Sequence, residues 1–283
     1  MKRVLLLLFL FTCAVCCVFA QTFESGGIQY VILSSDDKTV AVERYCGDSV
    51  GSVIIPKTVR FDDEYAVKEI KDGAFYCCKG LSSISIPDGV TTIGYSAFMF
   101  CSGLSSIRIP KSVTSIESDA FSYCEGVTSI KVDRKNPVYD SRKGCNAIIE
   151  TASNTLLYGC KTTVIPKSVT KIGPKAFARL TGITSIIIPN GVTGIGYNAF
   201  EVCPDLTSIT IPLSVTGIEF GVFSYCRNLS HVISKIENPF ELERNPFSGI
   251  SDDFVLTVPA GTRSAYIAAG WTEDMFKGGI IEK

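Results

Sequence analysis

Hydrophobic positions recur along this chain at a fixed interval. Pro87, Pro110, Pro166, Pro189 and Pro212 each stand eleven residues before an aromatic, at Phe98, Phe121, Phe177, Phe200 and Phe223. The shared unit is 23 residues long and reads L-x-x-I-x-I-P-x-x-V-T-x-I-G-x-x-A-F-x-x-C-x-x. Five units of that length begin at Leu81, Leu104, Cys160, Ile183 and Leu206. Two more carry insertions: one runs 31 residues from Val50 to Gly80, the other 33 residues from Val127 to Gly159. A last strand begins at Leu229, giving seven coils and a terminal strand. Self-similarity at such a period marks a stack of like units rather than a single wrapped core.

Each fixed position has a physical reading. Leu81, Ile84 and Ile86 make the first run of the unit a short strand with one face buried. Proline follows because it cannot donate to a ladder and so ends the strand. Val90 to Gly94 is a second β-branched run stopped by glycine. The Ala-Phe pair then turns inward to fill the coil. One unit cannot bury these residues alone, but units stacked about 4.8 Å apart through parallel strand pairing can. The flanks predict lids for the two open ends of the stack. Ile28 to Leu33 and Thr39 to Glu43 read as a hairpin around Ser34-Ser35-Asp36-Asp37. Thr262 reads as the N-cap of a short helix over residues 263–269, stopped by Gly270, with Trp271 as an apolar lid.

The copies Leu81-Ser82-Ser83-Ile84-Ser85-Ile86-Pro87 and Val192-Thr193-Gly194-Ile195-Gly196 resemble the BspA-like leucine-rich repeats of treponemal and Bacteroides-type surface proteins. Residues 139–165 look like a non-repetitive coil of such proteins, and Thr257-Val258-Pro259-Ala260-Gly261 with Gly270-Trp271 looks like their C-terminal cap. The resemblance covers nearly all of the chain after the first 20 residues. It implies a mainly β, right-handed leucine-rich-repeat solenoid of 23-residue coils with parallel strands, an N-terminal β-hairpin cap and a C-terminal strand and short-helix cap. It also implies a secreted or cell-surface bacterial protein engaged in adhesion to, or recognition of, a host or microbial protein or glycan, and it implies no enzyme.

The ends and composition divide the chain further. Lys2 and Arg3 precede an apolar run from Val4 to Phe19 that closes on Val18-Phe19-Ala20, the pattern of a signal peptide over residues 1–20. An uncleaved anchor is the rival reading, but the run falls short of the roughly 20 apolar residues that span a bilayer. A lipid-modified Cys13, Cys16 or Cys17 lacks a convincing small-residue pair before it. The remaining divisions are an N-terminal cap at 21–49, the solenoid at 50–235 with a hairpin insertion at about 139–160, and a C-terminal cap at 236–283. Net charge is −1 with the basic residues dispersed, so there is no basic face for nucleic acid. No later stretch approaches spanning length. Nothing in the sequence sets the oligomeric state.

Of 12 cysteines, nine follow the leader, and five of those, Cys78, Cys101, Cys124, Cys203 and Cys226, share one repeat position. A metal site needs convergent ligands at short spacings. Single residues recurring along a stack, with Leu180 breaking the row, read as buried thiols instead. Cys145 and Cys160 flank a predicted hairpin. If its turn centres between Ala152 and Ser153, Ile149 faces Leu156 and Cys145 faces Cys160, which makes the pair a candidate disulfide in an oxidising compartment. The single histidine, His231, has no evident nucleophile beside it. No phosphate loop or dinucleotide fingerprint is present, so neither a cofactor nor a metal is expected. A glycan hydrolase would need two carboxylates about 5 to 10 Å apart, which the regular coils do not supply on the sheet face.

Binding is better supplied. The period-two rule turns unit positions three and five outward from the first strand. Position three is a hydroxyl row ending in His231, and position five runs Ile54, Ser85, Arg108, Lys131, Val164, Ile187, Thr210 and Ile233. Arg108 and Lys131 are its charged centre. Beside the Ala-Phe turn, Tyr76, Tyr95, Phe100, Tyr123, Tyr197, Phe220 and Tyr225 vary while the framework stays fixed. Aromatics of that kind line recognition surfaces, although they also pack over a neighbouring coil. The expectation is an interaction module. A surface spacer without its own ligand, suited to the uniform hydroxyl row, is the alternative.

Overall fold

The computed structural model describes residues 21–45, 47 and 51–283; residues 1–20, on which the expected signal peptide falls, Cys46 and residues 48–50 lie outside the described residues. The repeat builds a solenoid of stacked coils with two parallel strand ladders. The first ladder uses the Leu-x-x-Ile-x-Ile run. Gly51–Ile54 pairs Leu81–Ser85, Ser106–Ile109 pairs Ser129–Val132, and Ser208–Ile211 pairs His231–Ser234. Val255–Val258 and Ile280–Glu282 extend the last of these sheets in parallel. Successive coils keep like residues opposite each other, as Ile107 opposite Ile130 and Arg108 opposite Lys131.

The second ladder uses the Val-Thr-x-Ile run. It is cut in two by the longer insertion. Glu64–Ile70, Thr92–Ile93 and Ser115–Ile116 form the first part, and Thr155–Gly159, Lys171–Ile172, Gly194–Ile195 and Gly217–Ile218 the second. Between them the insertion adds an antiparallel meander of Tyr139–Asp140, Ala147–Glu150 and Thr155–Gly159. The other insertion is a hairpin of Thr58–Arg60 against Glu64–Ile70, which sequence patterning did not separate from the coil.

The inward Phe of each coil stacks on the next. Phe75, Phe98 and Phe121 lie nearly parallel at 5.0 and 5.2 Å between ring centroids. Phe177, Phe200, Phe223 and Phe247 continue the column beyond the insertion. Tyr158 closes the gap edge-on to Phe121, and the core divides there into two clusters. The turn that carries the Phe needs left-handed backbone at two points per coil. Ser96 and Phe100 take them in one coil, Asn198 and Val202 in another. Such φ values are rare for non-glycine residues. Here they aim Ser96, Phe98 and Phe100 amides at the Ser118, Ala120 and Ser122 carbonyls of the next coil, so the strain is offset by a third ladder of hydrogen bonds.

The flanks behave as lids. At the N-terminus Ile28–Ser34 and Thr39–Tyr45 form the expected hairpin, joined by a further strand, Thr22–Ser25, that the pattern did not reveal. At the C-terminus Trp271 is fully buried against Phe240 and Phe247, and Tyr266 is fully buried against Trp271. The helix is Arg263–Ala268, and Gly270 ends it with φ +85°. Thr262 precedes it without capping it: its hydroxyl donates back to the Pro259 carbonyl, and Glu282 accepts from the Arg263 amide instead.

Candidate functional site

The cysteine row is core. Cys101, Cys124, Cys203 and Cys226 are buried, and each thiol donates to the carbonyl of the Phe one coil earlier: Phe75, Phe98, Phe177 and Phe200, at 3.0 to 3.2 Å. In these coils the position supplies a small buried donor, where Leu180 in another coil supplies only apolar bulk, and burial pushes the Cys124 thiol up to about 12. Cys77, in the adjoining position, is exposed. Among the described residues no group of three or more His, Cys, Asp and Glu side chains could hold a metal ion.

Cys145 and Cys160 do not face each other. The predicted turn and the Ile149 to Leu156 pairing are present, but Ile148 then pairs Tyr158, leaving Leu157 as a bulge. A slip of one residue reverses which face every later side chain takes. Cys145 therefore joins Leu156 in one core cluster and Cys160 joins Tyr158 in the other. Both are free thiols in the structure, and Cys160 Sγ instead contacts the Thr162 hydroxyl at 3.2 Å.

The seven aromatics separate into two groups. Tyr76, Tyr95, Tyr197, Phe220 and Tyr225 are exposed. Phe100 and Tyr123 are half-buried and stack on one another at 4.8 Å, under the Arg179 guanidinium, which lies 5.2 Å from the Tyr123 ring centroid. Tyr123 also donates to Glu201 at 3.0 Å. Beside it Lys175 Nζ and Asp119 Oδ2 pair at 2.7 Å with little exposure. These contacts tie the coil before the insertion to the coils after it, so Tyr123 and Phe100 belong to a structural joint. Sequence reasoning missed Lys175 and Arg179, which occupy the two left-handed positions of their coil where other coils carry small or aromatic residues.

The sheet face carries the clearest exposed surface. Ile187 is 85% exposed, Val164 and Ile54 are both 73% exposed. Ile187, Thr210, Ile233, Thr257 and Ile281 stand in register across successive strands. Ile233 and Ile281 are exposed as well. Arg108 and Lys131 are exposed and adjacent, and neither has an ion-pair partner among the described residues. The row above is held by its own hydroxyls, as where Ser83 donates to Ser52 at 2.6 Å. His231 ends that row, its Nε2 2.9 Å from the Thr257 hydroxyl, so it is a bridge between strands and not a base beside a nucleophile.

A model of the BspA type leucine-rich repeat region matches residues 38–143 and 150–252 in six copies. Among solved structures, the chain is similar to a leucine-rich cell-surface protein from Faecalibacterium prausnitzii, with a TM-score of 0.53 and 19% identity over 93% of this chain and 95% of that one. It is also similar to a leucine-rich-repeat protein from Eubacterium ventriosum, with a TM-score of 0.50 and 19% identity over 83% of this chain and 77% of that one. At such identity the likeness concerns the fold. No curated protein matches the chain.

Proposed function

This chain belongs to the BspA-type leucine-rich-repeat family, and from that premise we propose that it is an extracellular or cell-surface interaction module that adheres to or recognises a host or microbial protein or glycan through its sheet face. The family is one of binding repeats, and the match points to no catalytic family. No helix among the described residues is long and apolar enough to cross a membrane. Export by the leader at 1–20 is part of the same proposal.

The observation that carries the reading is the aliphatic row. Exposed apolar side chains sharing one face are what partners bury, and Val164, Ile187, Ile233 and Ile281 supply them at the outward strand position, with Thr210 and the buried Thr257 interleaved among the last three. A plain spacer has no need of them, since serine or threonine at the same positions would stack as well, as Ser85 and Thr210 do. Arg108 and Lys131, in the two coils before Val164, place a cationic pair ahead of the row, which would orient an extended partner.

Residues 21–283 should bind at least one component of an array of immobilised extracellular proteins and glycans. The double substitution Val164→Glu with Ile187→Glu should weaken that binding at least about tenfold while leaving the fold intact, because both side chains stand in solvent. An array without binding, or binding indifferent to the double variant, would count against the sheet face.

A further inference from the structure

The second ladder stops abruptly, and its last strand is left with an open edge. In the coil before it, the Thr193 and Ile195 carbonyls accept hydrogen bonds from the Thr216 and Glu219 amides at 2.9 and 3.0 Å. The alternation of a parallel ladder turns the equivalent carbonyls of Thr216 and Ile218, and the Ile218 amide, away from that coil. No strand follows Gly217–Ile218 in its sheet, and among the described residues no turn or loop backbone bonds to these three groups. Ile218 itself is 8% exposed. The same edge occurs once more inside the molecule, where the first part of the ladder ends at Ile116. There it is covered: the Ile116 amide donates to the Tyr139 hydroxyl at 2.9 Å.

After Ile218 the chain passes wide of the ladder instead of adding a strand. An open groove of about 330 Å³ remains, floored by Leu213, Val215, Ile236 and Phe240 and edged by Thr216 and Glu237. That volume lies at the lower end of the range of ligand sites, roughly 300 to 1,000 Å³. Leu213 is 64% exposed. Glu237 has no ion-pair partner among the described residues, and Glu241 follows Phe240 in sequence, whereas the Glu219 carboxylate turns back to accept from the Tyr197 amide.

We propose that this groove accepts an extended polypeptide of a partner as an added parallel strand, with aliphatic side chains on the floor and a lysine or arginine toward Glu237. One amide donor and two carbonyl acceptors at strand spacing are the groups that an extended backbone satisfies, and the carboxylates select a basic segment. Another copy of this chain is a poorer occupant. Its edge strands Thr22–Ser25 and Ile280–Glu282 would bring Glu24 or Glu282 toward the carboxylates. The site lies on the second ladder and does not depend on the sheet-face reading.

The probe is a short fluorescent peptide of alternating valine and lysine, titrated into residues 21–283 by anisotropy and followed by amide hydrogen exchange. Saturable binding is expected, with slower exchange at Ile218 and none of that change at Ile116. Methylating alternate peptide amides, replacing its lysines by glutamate, or making Leu213→Lys in the protein should each weaken binding at least about tenfold. No binding, an unaltered Ile218 amide, or equal affinity for the methylated peptide overturns the proposal. Concentration-dependent self-association that the peptide abolishes also overturns it, by giving the groove to a second copy.

Discussion

The Phe177 ring lies against the backbone of Gly159 so closely that a β-carbon at Gly159 would overlap its Cε1 and Cζ atoms. Gly159 closes the inserted meander, and Phe177 restarts the phenylalanine column beyond it. The contact thus sets where the insertion can rejoin the stack. Its backbone is ordinary, so the requirement for glycine is one of space alone. Gly159→Ala should destabilise the chain by about 1 to 3 kcal/mol, the usual cost of overpacking. Adding Phe177→Leu should recover part of that loss. A denaturant midpoint unchanged by Gly159→Ala would show that the column yields there without cost.

The joint beside it is held by charge. Lys175 and Asp119 meet at 2.7 Å with side chains only 18% and 13% exposed, and Lys175 Nζ also lies 5.8 Å from the Tyr123 ring centroid. Removing one partner leaves the other ion poorly solvated. Lys175→Met should therefore cost on the order of 2 to 4 kcal/mol, and Lys175→Met with Asp119→Asn distinctly less than the sum of the two singles. Additive losses in a double-mutant cycle, measured by urea unfolding, would refute the coupling.

The sequence made the repeating half of this molecule readable because identical positions meet identical positions in a parallel stack. Ile107 falls opposite Ile130 and Cys124 bonds one coil back for the same reason. What escaped was set by departures from the period. One extra residue at Leu157 separates Cys145 from Cys160, and nothing in the local pattern marks a bulge. Tyr123 and Phe100 have the composition of a recognition surface, yet they pack because two cations, Lys175 and Arg179, arrive from a coil that follows the insertion. The groove beyond Ile218 exists because no further Val-Thr-x-Ile copy follows, an absence visible in the sequence only once each copy is known to cover the edge of the one before.

Within the N-terminal lid, Tyr30 is fully buried and its hydroxyl has no hydrogen-bond partner among the described residues. Burial pushes that phenol up to about 12. A desolvated hydroxyl without a partner costs about 1 to 3 kcal/mol, and the ring already stacks on Phe23 at 5.6 Å. Tyr30→Phe should keep the stacking and raise stability by about 1 kcal/mol. A lower melting temperature in the variant would mean that the hydroxyl has a partner, such as an ordered water.

Two of the buried thiols, Cys101 and Cys124, give the fold a pH dependence with a definite sign. Burial holds Cys124 protonated up to about 12, against an ordinary thiol value of 9.0, and raises Cys101 in the same direction. A group whose value is raised on folding contributes stability that is complete below its unfolded value and is lost as pH climbs toward the folded one. Stability should hold steady to about pH 9 and then fall through pH 11, by at most about 1.4 kcal/mol per pH unit for each such thiol. Lysine and tyrosine titration adds its own slope there, so the comparison that isolates the thiols is with Cys101→Ala, Cys124→Ala. That variant should start from lower stability, because the Phe75 and Phe98 carbonyls lose their donors, yet decline more gently with pH. Parallel curves for the two proteins in thermal unfolding from pH 8 to 11 would mean that the thiols titrate alike in both states and that their burial carries no linkage.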